Sequence, residues 1–215
     1  MKPVGILGGT FDPIHYGHLR LAEEMLELAR LEQIRFIPAG NPPHRNSPGV
    51  SAQHRCEMVK LAIADRPAFL LDEREVRKQD KCYTVDTLKE LRGELGNEQP
   101  ICLLMGIDAF LQLHTWHEWE RILDLAHIAV GYRPGFAFDT RSMEPTLHEQ
   151  YQRRLCSVDR LAEKPSGGII ELSIPRLEIS ATMIRERISE SRSIRYLLPE
   201  PVATYIHQHN LYKSC

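Results

Sequence analysis

The chain has 215 residues, somewhat more than one typical domain length of about 150, so we expect a single domain with at most a small appendage. Hydrophobic residues make up 42% of the chain and charged residues 26%, which excludes global disorder. The 27 lysines and arginines balance 29 acidic residues, which argues against a dedicated nucleic-acid or membrane-surface binder. Any anionic ligand must therefore be attracted by a local group of cations or hydrogen-bond donors, because the chain as a whole carries no excess of positive charge.

Targeting signals and crosslinks are not indicated. One of the longest apolar stretches is 101–107, whereas a membrane span needs about 20 residues. Gly8, Gly9 and Asp12 interrupt the N-terminal apolar run before a signal-peptide core develops. The five cysteines are scattered and include no Cys-x-x-Cys pair, which indicates reduced thiols. We expect a cytosolic protein whose partners are neither membranes nor nucleic acids.

Strands and helices alternate along the first part of the chain. Residues 4–7 form an apolar run that ends in two glycines, and apolar side chains then recur at helical spacing. Gln33–Pro38 alternates as a second strand and leads into a loop over 40–49 that is rich in proline and glycine. Such long loops are often functional. Ser51 can cap the next helix, and Phe69–Leu71 is a third strand.

The alternation continues in the second part. Thr84 is a candidate helix cap, and residues 101–105 form a buried strand that ends at Gly106. Residues 117–125 are predicted as a helix and His127–Tyr132 as a strand.

The pattern loosens between residues 136 and 167, which we interpret as a possible insertion. One helix is predicted there, on the apolar positions Leu147, Tyr151, Leu155 and Val158. A last strand covers 169–174, and two helices form a C-terminal helical segment over 180–215.

This alternation predicts a Rossmann-like, doubly wound α/β fold. Its sheet is expected to be mostly parallel, with helices on both faces, in one domain over 1–215. Ligands of such sheets bind outside the carboxyl ends of the strands, near the point where the strand order reverses. The residues that follow each strand are therefore the first candidates for function.

The first candidate motif follows the first strand and opens a helix. It reads Gly8-Gly9-Thr10-Phe11-Asp12-Pro13-Ile14-His15-Tyr16-Gly17-His18. Paired glycines let a ligand approach the backbone, and a helix N-terminus attracts phosphate. His15 and His18 are expected on one side of the first helical turn, where both can donate hydrogen bonds to phosphate oxygens.

Zinc ligation or plain surface exposure is the alternative for this histidine pair. His114 and His117 repeat the spacing, so distant ligands could converge, but no third ligand lies nearby in the sequence. The preceding strand and glycines favour phosphate binding.

A second motif of similar character lies near the other end of the chain. It reads Ile179-Ser180-Ala181-Thr182-Met183-Ile184-Arg185 and again opens a helix after a strand. The hydroxyls of Ser180 and Thr182 can donate to phosphate, and Arg185 can reach back one turn with a fixed cationic fork. A serine N-cap beside an incidental arginine is the alternative. Two such helix starts in one small chain favour a polyphosphate ligand held by both.

The two motifs carry a resemblance to a known group of enzymes. His15-Tyr16-Gly17-His18 resembles the His-x-Gly-His signature of the nucleotidyltransferase superfamily, and residues 179–185 resemble its Ile-Ser-x-Thr-x-x-Arg element. The superfamily catalyses attack of a phosphate or related nucleophile on the α-phosphate of a nucleoside triphosphate, with release of pyrophosphate. The resemblance implies Mg²⁺ carried by the phosphates, and no metal ligand among the side chains.

Further blocks narrow the resemblance to the bacterial nicotinate-nucleotide adenylyltransferase family, over essentially the whole chain. In the family's order they are Gly8-Gly9-Thr10-Phe11-Asp12-Pro13, Asn41-Pro42-Pro43-His44, Tyr83-Thr84-Val85-Asp86-Thr87-Leu88, Met105-Gly106-x-Asp108 and Thr115-Trp116. Two positions depart from the family pattern. Arg45 stands where lysine is common, and Cys82 stands where serine often precedes the tyrosine.

The resemblance implies a role for each matching residue. Catalytic roles fall to His15, His18 and Arg185, with His18 closest to the α-phosphate. The implied ATP-binding residues are Gly8, Gly9, Thr10, Phe11, His15, His18, Gly106, Asp108, Ile179, Ser180, Thr182 and Arg185. The implied residues for nicotinate mononucleotide are Asn41, His44, Arg45, Tyr83, Thr84, Trp116 and Arg133. Asp108 would bind ribose hydroxyls, Trp116 would stack on the pyridine ring, and Thr84 would receive the nicotinate carboxylate.

Structural roles compete with several of these assignments. On spacing alone, Trp116 is more typical of packing, and Asp108, Thr84 and Arg133 are more typical of helix caps and turns. The order of the motifs favours the functional interpretation.

The implied reaction is direct in-line transfer of the adenylyl group of ATP to nicotinate mononucleotide, without a covalent intermediate. The products are nicotinate adenine dinucleotide and pyrophosphate. One alternative is another enzyme of the superfamily, acting on phosphopantetheine or making a cytidylyl product. Another is a nucleotide-binding regulator without turnover. An aminoacyl-tRNA synthetase shares a similar histidine signature, but the chain contains no Lys-Met-Ser-Lys-Ser loop.

Overall fold

The computed structural model describes residues 1–40, 49–78, 80–133, 143–175 and 177–213. The strands in these residues are β1 Val4–Gly9, β2 Gln33–Pro38, β3 Phe69–Leu71, β4 Ile101–Gly106, β5 His127–Tyr132 and β6 Ile169–Ser173. The α-helices are α1 Tyr16–Leu28, α2 Ala52–Ile63, α3 Thr84–Leu95, α4 Ile107–Leu111, α5 Trp119–Leu125, α6 Pro145–Arg154, α7 Ala181–Ser189 and α8 Glu200–Gln208. Two short 3₁₀ helices cover Leu113–Thr115 and Val158–Ala162.

The strands form one six-stranded sheet in the order β3-β2-β1-β4-β5-β6. Parallel pairing joins β1 to β4, β4 to β5 and β5 to β6, in a register that sets Val4 opposite Ile101 and Ile128 opposite Ile169. The first five residues of β4 and of β5 are all buried, as in strands whose two faces are covered. The strand order reverses between β1 and β4, as in a Rossmann-like sheet. The predicted doubly wound, mostly parallel α/β fold is confirmed.

The chain divides into two compact units, each built from three segments. The first unit comprises Met1–Leu7, Glu23–Arg35 and Tyr83–Pro175, and the second comprises Gly8–Ala22, Phe36–Cys82 and Arg176–Cys215. The core of the first unit is formed by β4, β5 and β6, whose central residues are almost fully buried. The core of the second unit contains aromatic rings packed at tilted angles: Phe36 lies 5.9 Å from Phe11 and 5.1 Å from Phe69 between ring centroids. The single domain over 1–215 stays a prediction.

Some helix ends differ from the sequence-based prediction for identifiable local reasons. The helix predicted over 117–125 begins at Trp119, because Glu118 takes a left-handed conformation with φ of 47°. Thr84 is the first residue of α3 rather than its cap, and Tyr83 holds the cap position without a side-chain hydrogen bond. Ser51 does cap α2, accepting a hydrogen bond from the His54 N–H.

The helix predicted through Leu155 and Val158 was too long. It ends at Arg154, because the backbone at Leu155 turns extended and forms an isolated bridge with Ile169 of β6. Residues 143–167 belong to the first unit, and Leu147 and Leu161 are buried there. Residues 136–142 lie outside the described residues, so the insertion over 136–167 stays a prediction.

Two further features of the described residues concern the cysteines and the helix lengths. Four cysteines, at 56, 82, 102 and 156, are free thiols, and Cys215 lies outside the described residues. No helix in the described ranges is both long and apolar enough to span a bilayer.

Candidate active site

The two motif histidines cap helix α1 and hold each other in place. The sequence predicted both histidines within the first turn of this helix. Helix α1 begins at Tyr16, however, so His15 precedes the first turn and only His18 lies within it. The His15 Nδ1 accepts a hydrogen bond from the Gly17 N–H at 3.1 Å, and the His18 Nδ1 accepts one from the His15 N–H at 3.3 Å. The two rings stack with centroids 3.8 Å apart. The arrangement is a reciprocal cap of the helix N-terminus, built from two imidazoles.

These bonds determine which ring nitrogen carries the proton. A ring nitrogen that accepts an N–H bond has no proton, so the neutral imidazoles of His15 and His18 are protonated at Nε2. His15 is only 5% exposed, and burial lowers its pKa from 6.5 to about 4. His15 is therefore a neutral imidazole with one N–H donor at neutral pH.

Gly17 explains how the two motifs come together. A Cβ at this position would lie 2.9 Å from the His15 ring and 3.2 Å from the Ile179 carbonyl oxygen. Contacts this short leave no space for a side chain. The glycine between the two histidines thus lets the start of the second motif pack directly against the first.

The second motif also reaches the first through Arg185. The Arg185 Nη1 donates to the Asp12 carbonyl oxygen at 2.7 Å, and its Nη2 donates to the Thr182 hydroxyl oxygen at 3.3 Å. Ser180 caps α7, its hydroxyl oxygen accepting the Met183 N–H at 3.2 Å. The Ser180 and Thr182 hydroxyl oxygens act as acceptors in these bonds, which leaves each O–H able to donate. The predicted convergence of the two motifs is therefore present within the second unit.

The end of β1, with its two glycines, and the residues that follow are held by hydrogen bonds to their backbone carbonyls. The Gly9 carbonyl accepts the Ala39 N–H at 2.8 Å, and the Thr10 carbonyl accepts the Arg55 Nη1 at 2.7 Å. Phe11 has a left-handed φ of 50° and is 2% exposed, with its ring edge-on to His18 at 5.1 Å. Its side chain is thus buried against His18 and supports that ring.

Two buried charged residues at this site were missed by the sequence analysis. Arg55 is 1% exposed and also donates to the Gly40 carbonyl at 3.2 Å, so it joins the loops after β1 and β2. Asp12 is 6% exposed and accepts hydrogen bonds from the Gly49 N–H and the Tyr212 hydroxyl. The signal for Arg55 was present in the sequence: an arginine next to Cys56 lies on the apolar face of a predicted helix.

The predicted pyridine-binding residues with described positions lie in the first unit. The Tyr83 ring stacks on the His117 ring at 4.4 Å, beside Trp116, which is half-buried. Thr84 begins α3, whose N-terminus has no side-chain cap. Arg133 is half-buried directly after β5. The structure thus brings Tyr83 and Thr84 to the segment of Trp116, although His117 was not among the predicted residues.

The remaining predicted site residues divide into two groups. Gly106 ends β4 and caps α4, and Asp108 is exposed in the first turn of that helix. Asn41, His44 and Arg45 lie outside the described residues. Among the residues that the structure describes, no three histidine, cysteine or acidic side chains are grouped to hold a metal ion.

Comparison of the sequence with known proteins identifies close relatives. The cytidylyltransferase-like family matches residues 6–187. A probable nicotinate-nucleotide adenylyltransferase of Dechloromonas aromatica is 49% identical, with 99% of each chain covered. One from Methylococcus capsulatus is 44% identical, covering 97% of this chain and 99% of the relative.

Solved structures show the same fold at lower identity. The Plasmodium falciparum nicotinic acid mononucleotide adenylyltransferase complexed with NaAD superposes with a TM-score of 0.74 at 20% identity, covering 99% of this chain and 98% of that one. A putative nicotinate-nucleotide adenylyltransferase from Vibrio parahaemolyticus superposes with a TM-score of 0.66 at 16% identity, over 100% and 98% of the two chains.

Proposed function

The chain belongs to the nicotinate-nucleotide adenylyltransferase family of cytidylyltransferase-like proteins, and we propose on this basis that it transfers the adenylyl group of ATP to nicotinate mononucleotide. The products are nicotinate adenine dinucleotide and pyrophosphate. The enzyme is thus a nucleotidyltransferase of NAD biosynthesis.

One observation supports the ATP half of this proposal most strongly. Within the second unit, the neutral imidazoles of His15 and His18 lie at the N-terminus of α1, and the Arg185 guanidinium of α7 bonds to the segment just before them. These groups are far apart in the sequence but close in the fold. Neutral N–H donors, a fixed cation and helix amides are the groups that stabilise triphosphate oxygens. In our assignment His15 and His18 bind the ATP phosphates, His18 nearest the α-phosphate, and Ser180, Thr182 and Arg185 bind the β- and γ-phosphates.

The rest of the assignment follows the predicted residues. For ATP we add Gly8, Gly9, Thr10, Phe11, Gly106, Asp108 and Ile179. For nicotinate mononucleotide we assign Asn41, His44, Arg45, Tyr83, Thr84, Trp116 and Arg133. The stack of Tyr83 on His117 beside Trp116 supports an aromatic environment for a flat pyridine ring.

The mechanism is direct in-line displacement. The phosphate of nicotinate mononucleotide is already anionic, so it attacks the α-phosphorus without a general base. The bond from the α-phosphorus to the bridging oxygen breaks, and pyrophosphate leaves with the electron pair. The protein contributes positioning and stabilisation of the charge that develops on the phosphate oxygens.

We propose that Mg²⁺ arrives on the triphosphate, bound by phosphate oxygens and water. Bound there, it neutralises phosphate charge. Removing Mg²⁺ with a chelator is expected to abolish turnover, and adding Mg²⁺ back is expected to restore it.

We also propose that the enzyme works in the cytosol. Four free thiols in the described residues agree with a reducing compartment.

Product analysis tests the function. Incubation with MgATP and nicotinate mononucleotide is expected to give the dinucleotide and pyrophosphate in equal amounts. Phosphopantetheine, or CTP with a cytidylyl acceptor, is expected to give no product. Product from either, with none from nicotinate mononucleotide, would favour the other superfamily enzymes. ATP binding without any turnover would favour a regulator.

Two further measurements test the mechanism and the choice of substrate. ATP labelled chirally at the α-phosphorus is expected to react with inversion, whereas a covalent intermediate would give retention. We expect kcat/KM to be higher for nicotinate than for nicotinamide mononucleotide, because the carboxylate and the amide differ in charge and in hydrogen-bond donors.

A further inference from the structure

Asp12 connects three distant segments of the second unit. Its side chain accepts the Tyr212 hydroxyl at 2.7 Å through Oδ1 and the Gly49 N–H at 2.8 Å through Oδ2. Its carbonyl accepts the Arg185 Nη1 at 2.7 Å. Asp12 is thus the direct support of the arginine that we assign to the β- and γ-phosphates of ATP.

The position of Tyr212 is fixed by more than one contact. Its backbone has a left-handed φ of 64°, which a non-glycine residue retains only when its surroundings hold it. A Cβ on Gly49 would lie 3.3 Å from the Tyr212 ring and 3.4 Å from the Asp12 Oδ2, so these three groups are closely packed. Burial, followed by the bond to Asp12, raises the pKa of the Tyr212 hydroxyl, which therefore stays a donor at all working pH values.

The Asp12 carboxylate competes for Arg185. The Arg185 Nη1 lies 3.9 Å from the Asp12 Oδ2, just outside hydrogen-bonding distance but close enough for a strong attraction in a partly buried site. Tyr212 and Gly49 donate to the carboxylate and offset part of its charge, while the guanidinium bonds to the neutral carbonyl.

We propose that Tyr212 is a positioning residue for adenylyl transfer: by donating to the Asp12 carboxylate, it keeps the Arg185 guanidinium available to the β- and γ-phosphates of ATP. Without the hydroxyl, the Asp12 carboxylate draws the guanidinium from the present 3.9 Å into direct hydrogen-bonding contact, and the phosphates lose their cation. The inference rests on the proposed function, since it takes Arg185 as an ATP ligand.

Equilibrium binding tests the proposal. We expect Tyr212→Phe to weaken MgATP binding about tenfold, which is the order of one hydrogen bond to a charged group. AMP has no β- or γ-phosphate, so its affinity is expected to stay within twofold. Tyr205→Phe is the matched control, because it removes a hydroxyl that bonds to His54 instead of Asp12. A loss below twofold for ATP, or an equal loss for AMP, would contradict the proposal.

Double variants separate positioning from simple destabilisation. In an Arg185→Met background, which removes the cation, Tyr212→Phe is expected to change ATP affinity by less than twofold, because Tyr212 acts through the charge at position 185. Neutralising the competitor with Asp12→Asn is expected to restore most of the affinity lost in Tyr212→Phe. If the losses of ATP affinity were additive in either of these two double variants, the proposed mechanism would be overturned.

A third variant keeps the test decisive if Tyr212→Phe does not fold. Asp12→Asn alone keeps the carbonyl that bonds Arg185, so ATP affinity is expected to stay within about threefold. A tenfold loss would show that the carboxylate itself holds Arg185, against the proposal. All these readouts are binding constants, so wild-type chain that binds ATP but makes no dinucleotide would refute the proposed function and leave the Tyr212 test intact.

Discussion

Residue chemistry at the phosphate site depends on how His15 and His18 use their ring nitrogens. Each commits Nδ1 to a backbone N–H, and so presents Nε2–H as a donor. A donor that is placed before the ligand arrives costs no reorganisation when negative charge builds up in the transition state. The helix cap and the proposed catalytic groups are thus the same two side chains.

His18→Ala removes the donor assigned to the α-phosphate. Turnover is expected to fall roughly a hundredfold or more, the loss seen when one well-placed donor to developing charge is removed. His207→Ala, which changes an exposed histidine of α8, serves as the control and is expected to leave kcat unchanged. Near-normal kcat in a folded His18→Ala protein would refute the assigned role.

Titration of His15 is expected to make stability depend on pH. Its folded pKa of about 4 lies below the value of 6.5 for the exposed group, so the unfolded chain binds the extra proton first. The stabilising contribution of the neutral ring is complete above pH 6.5 and is lost as the pH falls toward 4, by up to about 1.4 kcal/mol per pH unit. Asparagine at position 15 can still cap the helix but does not titrate.

The free energy of unfolding, measured by urea titration from pH 7 to 4, is therefore expected to fall more steeply for the wild-type chain than for His15→Asn. Parallel curves for the two proteins would contradict the shifted pKa.

At the scale of secondary-structure elements, the site depends on two helix N-termini with different caps. Helix α1 is capped by His15 and His18, and α7 is capped by Ser180. The Arg185 side chain of α7 also donates to the Asp12 carbonyl, which joins α7 to the segment before α1. In α1 the first amides are already bonded, the Tyr16 N–H to the Leu197 carbonyl and the Gly17 N–H to the His15 ring, so this helix attracts anions through the positive end of its dipole.

Ser180→Ala tests whether the α7 cap serves function as well as stability. The lost hydrogen bond is expected to cost about 1 kcal/mol of unfolding free energy. Ser51→Ala removes an equivalent cap from α2 and is expected to cost the same. Only Ser180→Ala is expected to raise the KM for ATP, because only this hydroxyl is assigned to the triphosphate. Equal KM values in both variants would assign Ser180 to stability alone.

Arg55 links two loops that follow neighbouring strands. Arg55→Met removes the buried guanidinium that donates to the Thr10 and Gly40 carbonyls. Unfolding free energy is expected to fall by about 2–4 kcal/mol, as unsatisfied buried polar groups predict. The exposed Arg153→Met is the control, with a change within about 0.5 kcal/mol. A small effect at position 55, by urea unfolding, would show that water replaces the guanidinium.

For the whole molecule, ATP is expected to act as a stabilising ligand. At a concentration a hundredfold above Kd, a ligand that binds only the folded state adds about 2.7 kcal/mol. For a chain of this size that corresponds to a rise in Tm of about 5–10 °C. This rise in Tm is measured by thermal unfolding with and without MgATP. In the Arg185→Ala variant, MgATP is expected to raise the Tm much less. An unchanged Tm at saturating MgATP would contradict the proposed triphosphate site.

The sequence by itself determined the parallel α/β alternation and both phosphate motifs. Local patterns are sufficient for these, because periodic apolar residues define strands and helices, and a glycine pair or a serine at a helix start acts within a few residues. Motif order along the chain also indicated the family. For Asn41, His44 and Arg45 the prediction rests on the sequence alone.

Only the tertiary structure decided which partners complete the site. Asp12 and Tyr212 are 200 residues apart, and no local pattern joins them. The end of α6 at Arg154, the buried Arg55 and the low pKa of His15 likewise depend on neighbours that folding supplies. The physical reason is that burial and long-range hydrogen bonds belong to the packed chain, whereas helix caps and periodicity are already present in its local sequence.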